Sequence, residues 1–215
     1  MITKYGLPQA VICPGVPIVC MVVLALVFFP AVWLVPVEIV LLAIAVWAVS
    51  FFRDPPRKIA VDENILYSPC DGTVTKVSVE GGEIYISMFL SIFSVHINRA
   101  PCSCSVVDVC YKKGEFRDAR DPESARLNES NTLALARLAD PSETIVVKQV
   151  SGAIARHIVC AAKAGDALRQ GERFGMIKFG SRTDLTVPDG SNREVCVKMG
   201  DKVRAGLTPL VKYSL

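Results

Sequence analysis

The chain has 215 residues, half of them hydrophobic, and a formal net charge of +3. That charge is too small to argue for nucleic acid, and no basic stripe interleaved with aromatic residues accompanies it. The length allows one ordinary domain plus an appendage, and the apolar residues are concentrated at the N-terminus.

Between Tyr5 and Phe52, setting aside Tyr5 itself and the thiols, Glu38 is the one ionisable side chain. Residues 11–29 and 37–52 each approach the roughly 20 apolar residues that cross a bilayer. Pro30 and Pro36 bracket the join, where a helix breaks or kinks. The run is far longer than the apolar part of a signal peptide, and Phe51-Phe52-Arg53-Asp54-Pro55 follows it instead of a small-residue cleavage site. Lys4 on one side and Arg53, Arg57 and Lys58 on the other place both ends in the cytoplasm. The expectation is a helical hairpin in the inner cell membrane, spanning it or lying shallowly in it.

Pro55-Pro56 marks the boundary between this anchor, residues 1–54, and a soluble domain, residues 55–215, facing the cytoplasm. β-branched residues and glycine-marked turns predict strands over 73–79, 84–90, 95–98, 106–111, 145–150, 154–160, 175–179, 185–187 and 194–199. Residues 117–140, with Leu127, Leu133, Leu135 and Leu138, read as a long polar loop with a short helix. Gly165-Asp166-Ala167-Leu168-Arg169-Gln170-Gly171 and Gly200-Asp201-Lys202-Val203-Arg204-Ala205-Gly206 share one pattern, as two related halves of a compact β-fold would. Both resemble the hairpins of barrel-sandwich domains, as does Cys70-Asp71-Gly72-Thr73-Val74. The expected class is therefore mainly β (α+β), a barrel-sandwich-like domain behind a hydrophobic helical hairpin. Eight cysteines without a CxxC pair, and two histidines far apart, exclude a zinc signature. In a cytoplasmic setting free, mostly buried thiols are expected.

The chemistry gathers at Gly180-Ser181, between two apolar-alternating stretches. A serine hydroxyl there can attack the preceding carbonyl and move the acyl group from nitrogen to oxygen. Elimination then leaves dehydroalanine, which hydrolyses to an N-terminal pyruvoyl group, a ketone that forms a Schiff base with an amine and accepts electrons. On the dipeptide alone a simple turn is the plainer reading. His96 shares a strand face with Ser94 and Asn98, opposite Phe93, Val95 and Ile97. Asp71 sits in a turn, and Asp71, His96 and Ser181 together make an acid, base and hydroxyl set. His157 reads as structural.

Six blocks then occur in order: Phe51-Phe52-Arg53-Asp54-Pro55, Ser68-Pro69-Cys70-Asp71-Gly72, residues 93–101, Asn128-Glu129, residues 149–156 and residues 173–181. In this the chain resembles the short, archaeal-like, pyruvoyl-dependent phosphatidylserine decarboxylase proenzymes over essentially its whole length. The resemblance implies a zymogen cut between Gly180 and Ser181 into a β chain, 1–180, and an α chain, 181–215. The fragments would stay together as a heterodimer, with higher assembly left open. It implies a covalent pyruvoyl group derived from Ser181, with no metal and no PLP. Asp71 and His96 would prepare Ser181 for cleavage, and phosphatidylserine would be decarboxylated to phosphatidylethanolamine at the membrane. Ser130 and His157 stand where relatives often carry arginine, and Cys102-Ser103-Cys104 where they are often more polar. Two other readings stay open: an uncut membrane-anchored binding or carrier module, for which Lys198-Met199 faintly resembles a biotin-attachment pair, and a pyruvoyl decarboxylase for another amine. An uncut, inactive scaffold is a remoter one.

Overall fold

The computed structural model describes residues 2–28, 32–153, 157–178 and 180–214. Its contacts divide into two units, Met1–Pro56 and Arg57–Leu215.

In the first unit, α1 (Leu7–Phe28) and α2 (Val35–Phe51) follow from largely apolar sequence, with Pro14 and Pro17 inside α1 and Glu38 in the first turn of α2. Pro36 stands where the join ends, at the start of α2 rather than in a helix interior. It lies in the first turn of α2, where its missing N–H leaves no bond unmade. Pro30 falls outside the described residues. The Thr3 amide donates to the Phe52 carbonyl over 2.9 Å, so the two ends of the helix pair meet. Val11, Leu26, Trp33 and Val46 are all more than half exposed. Large side chains so placed on a continuous apolar surface mark a face made for something other than water. Both helices are long and apolar enough to cross a membrane, and the unit is membrane-associating on that ground.

The second unit is built from short strands. In chain order these are β1 (Ile65–Tyr67), β2 (Gly72–Glu80), β3 (Glu83–Leu90), β4 (Ile97–Arg99) and β5 (Cys104–Lys112). A helical turn, α3 (Ser124–Leu127), precedes β6 (Ser130–Arg137), β7 (Thr144–Val150), β8 (Ile158–Cys160) and β9 (Ala167–Leu168). The chain closes with β10 (Arg173–Ile177), β11 (Ser181–Pro188), β12 (Arg193–Val195), β13 (Lys202–Val203) and β14 (Pro209–Tyr213). One curled, half-barrel sheet runs β13-β2-β3-β11-β7-β6-β5-β9; two small sheets run β1-β14-β12 and β4-β10-β8. Ile84, Ile86, Met88 and Leu90 of β3, with Leu133, Leu135, Val147, Leu185 and Val187, fill the core. The mainly β class with its helical hairpin is therefore the observed one.

Three sequence expectations need correction. Residues 130–137 form a central strand, not loop. Alanine and leucine favour helix, but Leu133 and Leu135 recur with period two and are fully buried, and β5 and β7 supply partners on both sides. The strand expected over 194–199 stops at Val195, and the one over 154–160 is described only from Ile158, residues 154–156 lying outside the described set. All eight thiols are free, but only Cys70, Cys102 and Cys104 are buried.

The repeated heptads occupy the two ends of the large sheet. β9 pairs with β5 and β13 with β2, each inside its own copy of the pattern. The bonds repeat as well: Val106 N–H donates to Asp166 O and Val74 N–H to Asp201 O, while Gly165 N–H donates to Val106 O and Gly200 N–H to Val74 O. Side chains added at Gly171 and Gly206 would both strike Ile59, so the two sheet ends converge on one residue.

Candidate active site

β11 begins at the serine singled out by sequence. Ser181 pairs with Leu90 of β3 and is fully buried, facing inward with Thr183, Leu185 and Val187. Its Oγ has no hydrogen-bond partner among the described residues. A buried hydroxyl left so costs stability, and such a group calls for an explanation.

The residue before it is held with equal care. Gly180 has φ +63°, a left-handed conformation that a side chain would strain. Its carbonyl lies against Gly152. A Cβ built at Gly152 would fall inside van der Waals distance of the Gly180 oxygen and 3.0 Å from its carbon. Ser151 stands next to that glycine. β11 pairs with β7 up to Arg182 opposite Val150, so one further step sets Ser151 beside Ser181. Ser151 is fully buried too, and its hydroxyl also lacks a partner among the described residues.

His96 precedes β4 and is fully buried. Its Nδ1 lies 2.9 Å from the Ser94 carbonyl. A carbonyl only accepts, so Nδ1 carries the hydrogen and Nε2 is the basic nitrogen. Asp71 is turned elsewhere: Arg57 donates to both carboxylate oxygens at 2.7 Å, and the Ala205 amide donates to Oδ1 at 2.8 Å. Gly72 packs on the Phe89–Leu90 peptide and Ser181 pairs with Leu90 from the other side, so Asp71 stands about two strand spacings, ~10 Å, from Ser181. Among the described residues no hydrogen bond joins Asp71, His96 and Ser181 directly.

Asn98 links the three segments. Its amide donates to Thr183 Oγ1 at 3.2 Å and, more weakly, to the Pro69 carbonyl at 3.4 Å, while its oxygen accepts from Gln149 at 2.9 Å. Asn131 donates to the Gln149 oxygen in turn, at 3.1 Å. Thus the Asp71 turn, the His96 strand and the Ser181 strand are pinned by one buried amide chain that satisfies its own polar groups. Asn98 and Gln149 were not singled out from sequence as site residues. The available signal was the strand alternation that sets Asn98 on the His96 face. His157 is exposed, and its carbonyl accepts from the Lys178 amide at 3.2 Å.

On the opposite face of the large sheet, a cavity of about 150 Å³ opens on Gly180 and is lined by Phe89, Ile92, Asp118, Ala119, Arg120 and Ala153. Asn128 holds the covering segment in place. Its side chain bonds both polar groups of the Arg117 backbone and donates to the Ser151 carbonyl at 2.8 Å.

The family model for phosphatidylserine decarboxylase matches residues 44–210. The chain belongs to the phosphatidylserine decarboxylase family. A phosphatidylserine decarboxylase proenzyme of Trichlorobacter lovleyi is 42% identical over 183 residues, covering 83% of this chain and 81% of its own. One from Solidesulfovibrio magneticus is 40% identical over 205 residues, covering 92% and 94%. A Methanopyrus kandleri relative, 39% identical over 193 residues and covering 84% and 88%, is named an archaetidylserine decarboxylase proenzyme. As a member of this decarboxylase family the chain is a lyase made as a proenzyme. The family match spans Asp71, His96 and Gly180-Ser181 along with Asn98 and Gln149.

Proposed function

We propose that the chain cuts itself between Gly180 and Ser181 and that the resulting residue 181 decarboxylates phosphatidylserine to phosphatidylethanolamine. The observation that carries this reading is the buried, unpartnered Ser181 hydroxyl directly behind a left-handed glycine whose carbonyl is backed by Gly152.

In the cut, Ser181 Oγ adds to the Gly180 carbonyl carbon as its proton passes to His96 Nε2. The amide nitrogen then takes a proton and leaves, so an ester replaces the peptide bond. Loss of the Ser181 Cα proton expels the Gly180 carboxylate. Water then displaces ammonia from the dehydroalanine, leaving a pyruvoyl end. The site fits that group: position 181 is buried, its side chain makes no competing hydrogen bond among the described residues, and Gly152 leaves the neighbouring carbonyl a bed without a side chain. A pyruvoyl ketone supplies a carbonyl that condenses with an amine and takes up the electron pair left by CO2. His96, with Nε2 basic, holds and returns protons there, while the Asn98–Gln149 chain keeps its strand fixed. Asp71 acts through the Arg57-braced turn rather than by direct contact. Residues 181–215 remain bound after the cut because β11 lies between β3 and β7. Tyr213 also bonds Glu143, which in turn pairs with Arg193.

Residues 1–54 would hold the enzyme in the inner membrane with the second unit on the cytoplasmic side, where a lipid substrate arrives by lateral diffusion. The relatives' names share the serine headgroup and differ in the lipid, in keeping with a site that grips the headgroup. Intact-mass measurement of the purified chain tests the proposal. Two species divided at 180/181 are expected, the smaller blocked at its N-terminus, with conversion of micellar phosphatidylserine to phosphatidylethanolamine. A single full-length species from native expression would remove it, and turnover of free serine in place of the lipid would reassign the substrate.

A further inference from the structure

The small cavity at Gly180 has four apolar walls, Phe89, Ile92, Ala119 and Ala153, and one pair of charges, Asp118 and Arg120. Arg120 also lines a second cavity of about 350 Å³ with Lys76, Tyr85 and Arg182, so it stands where the two meet. Its guanidinium carbon lies 5.8 Å from the centre of the Phe89 ring. Gly180, on one side of the proposed scissile bond, lines the same cavity as this cation. Arg182 is committed to Asp184 and Tyr85, both on its own face of the sheet. Arg120 is bound to Asp118 through Nε and Nη2 alone, and Nη1 makes no bond in that pair. The Asp118–Arg120 pair is largely exposed, so it is a weak competitor for an incoming anion.

Resting on the reading above, we propose that Arg120 is the headgroup-binding residue, gripping the substrate's phosphodiester while the substrate carboxylate lies against the apolar walls. In a phosphoserine headgroup only Cα, Cβ and the ester oxygen separate the amine from phosphorus. Gly180 lines this cavity with Arg120, so an amine that reaches residue 181 past the Gly180 end leaves the phosphate on the Arg120 face of the sheet. The opposite assignment, Arg120 on the carboxylate, works against the reaction: a cation there stabilises the charge that decarboxylation must remove. A fork of N–H donors suits a phosphodiester, which keeps its charge throughout. The apolar walls offer the carboxylate no compensating bond. Lys76, which lines the second cavity with Arg120, adds positive charge that favours an anionic lipid headgroup there.

The test begins with Ser181→Ala, which keeps the chain intact and the cavity as described. Calorimetric titration with glycerophosphoserine should give saturable binding that weakens about tenfold or more on adding Arg120→Ala, the loss typical of a charge-assisted hydrogen bond. In cleaved enzyme, Arg120→Ala should raise KM for phosphatidylserine by a similar factor with kcat within about twofold, and Arg120→Lys should recover part of it. Cleavage at 180/181 should be unchanged in both. No binding to Ser181→Ala, equal binding with and without Arg120, or a fall in kcat at constant KM would overturn the proposal. Should Arg120→Ala not fold, Arg120→Gln gives the same readings. A wild-type chain that cleaves but leaves phosphatidylserine untouched refutes the functional reading itself, whatever Arg120 binds.

Discussion

The two ends of the large sheet are built alike and differ at one telling place. At one end the Gln170 amide donates to Ser103 Oγ, and at the other the Ala205 amide donates to Asp71 Oδ1. The acceptor occupies the same position in both halves, one residue after a buried cysteine, Cys102 or Cys70. The turn therefore requires an oxygen at that position, and a neutral hydroxyl suffices. The charge at Asp71 is additional, and Arg57 is buried beside it, bonded to both carboxylate oxygens and to the Ala205 carbonyl. A buried ion pair is rarely the cheapest way to build a turn, because desolvation offsets much of the attraction. The half that bears it is also the half whose edge faces Leu90 and Ser181. The comparison separates what the fold needs, an acceptor, from what the proposed cleavage uses, a charge.

The largest expected effect lies between the two halves. Gly152→Ala pushes a methyl onto the Gly180 carbonyl, and self-cleavage should slow by ~100-fold or stop, as a small misplacement of reacting atoms costs. Incubation of freshly folded chain, followed by denaturing gels, measures it. Normal processing would show that the carbonyl's position is unimportant.

Next comes the charge itself. Asp71→Asn combined with Arg57→Gln replaces the ion pair by a neutral one and keeps an acceptor for Ala205. Cleavage should fall by about tenfold or more while the melting temperature moves little. Undiminished cleavage would reduce Asp71 to a turn residue, like its counterpart. Asp71→Asn alone leaves Arg57 buried without its anion and should lose about 3–5 kcal/mol in chemical denaturation. A loss below that of Ser103→Ala would mean the pair is solvated rather than buried.

Ser103→Ala is the smallest change. It removes one neutral hydrogen bond, worth about 1 kcal/mol, and should leave the cleavage rate unaltered. Slowed cleavage there would mean that the two ends are coupled through Ile59 and that the contrast drawn above does not hold.

Much of the site was legible in local pattern. The Gly180-Ser181 pair, the polar face carrying His96 and Asn98, and the Asp71 turn each stand out from their neighbours by residue type. The repeated heptads suggested two related halves, and the pairing then placed them at the two ends of the large sheet. Ser130–Arg137 was not legible, because its residues favour helix in isolation and only the presence of β5 and β7 makes strand the lower state. Ser151, too, looks like an ordinary loop serine until β7 brings it beside Ser181.

By itself, then, the sequence determined the apolar hairpin and the β character of the remainder, and it singled out the bond proposed to be cut, since each depends on a run of adjacent residues. Tertiary structure alone decided that Asn98 ties three segments together, that Gly152 cradles the Gly180 carbonyl, that Asp71 meets Arg57 rather than His96, and that Arg120 overlooks the cavity. Each of these pairs residues far apart in the chain. Chain periodicity carries no information on which strand faces which; that follows from the whole sheet burying its apolar face at once.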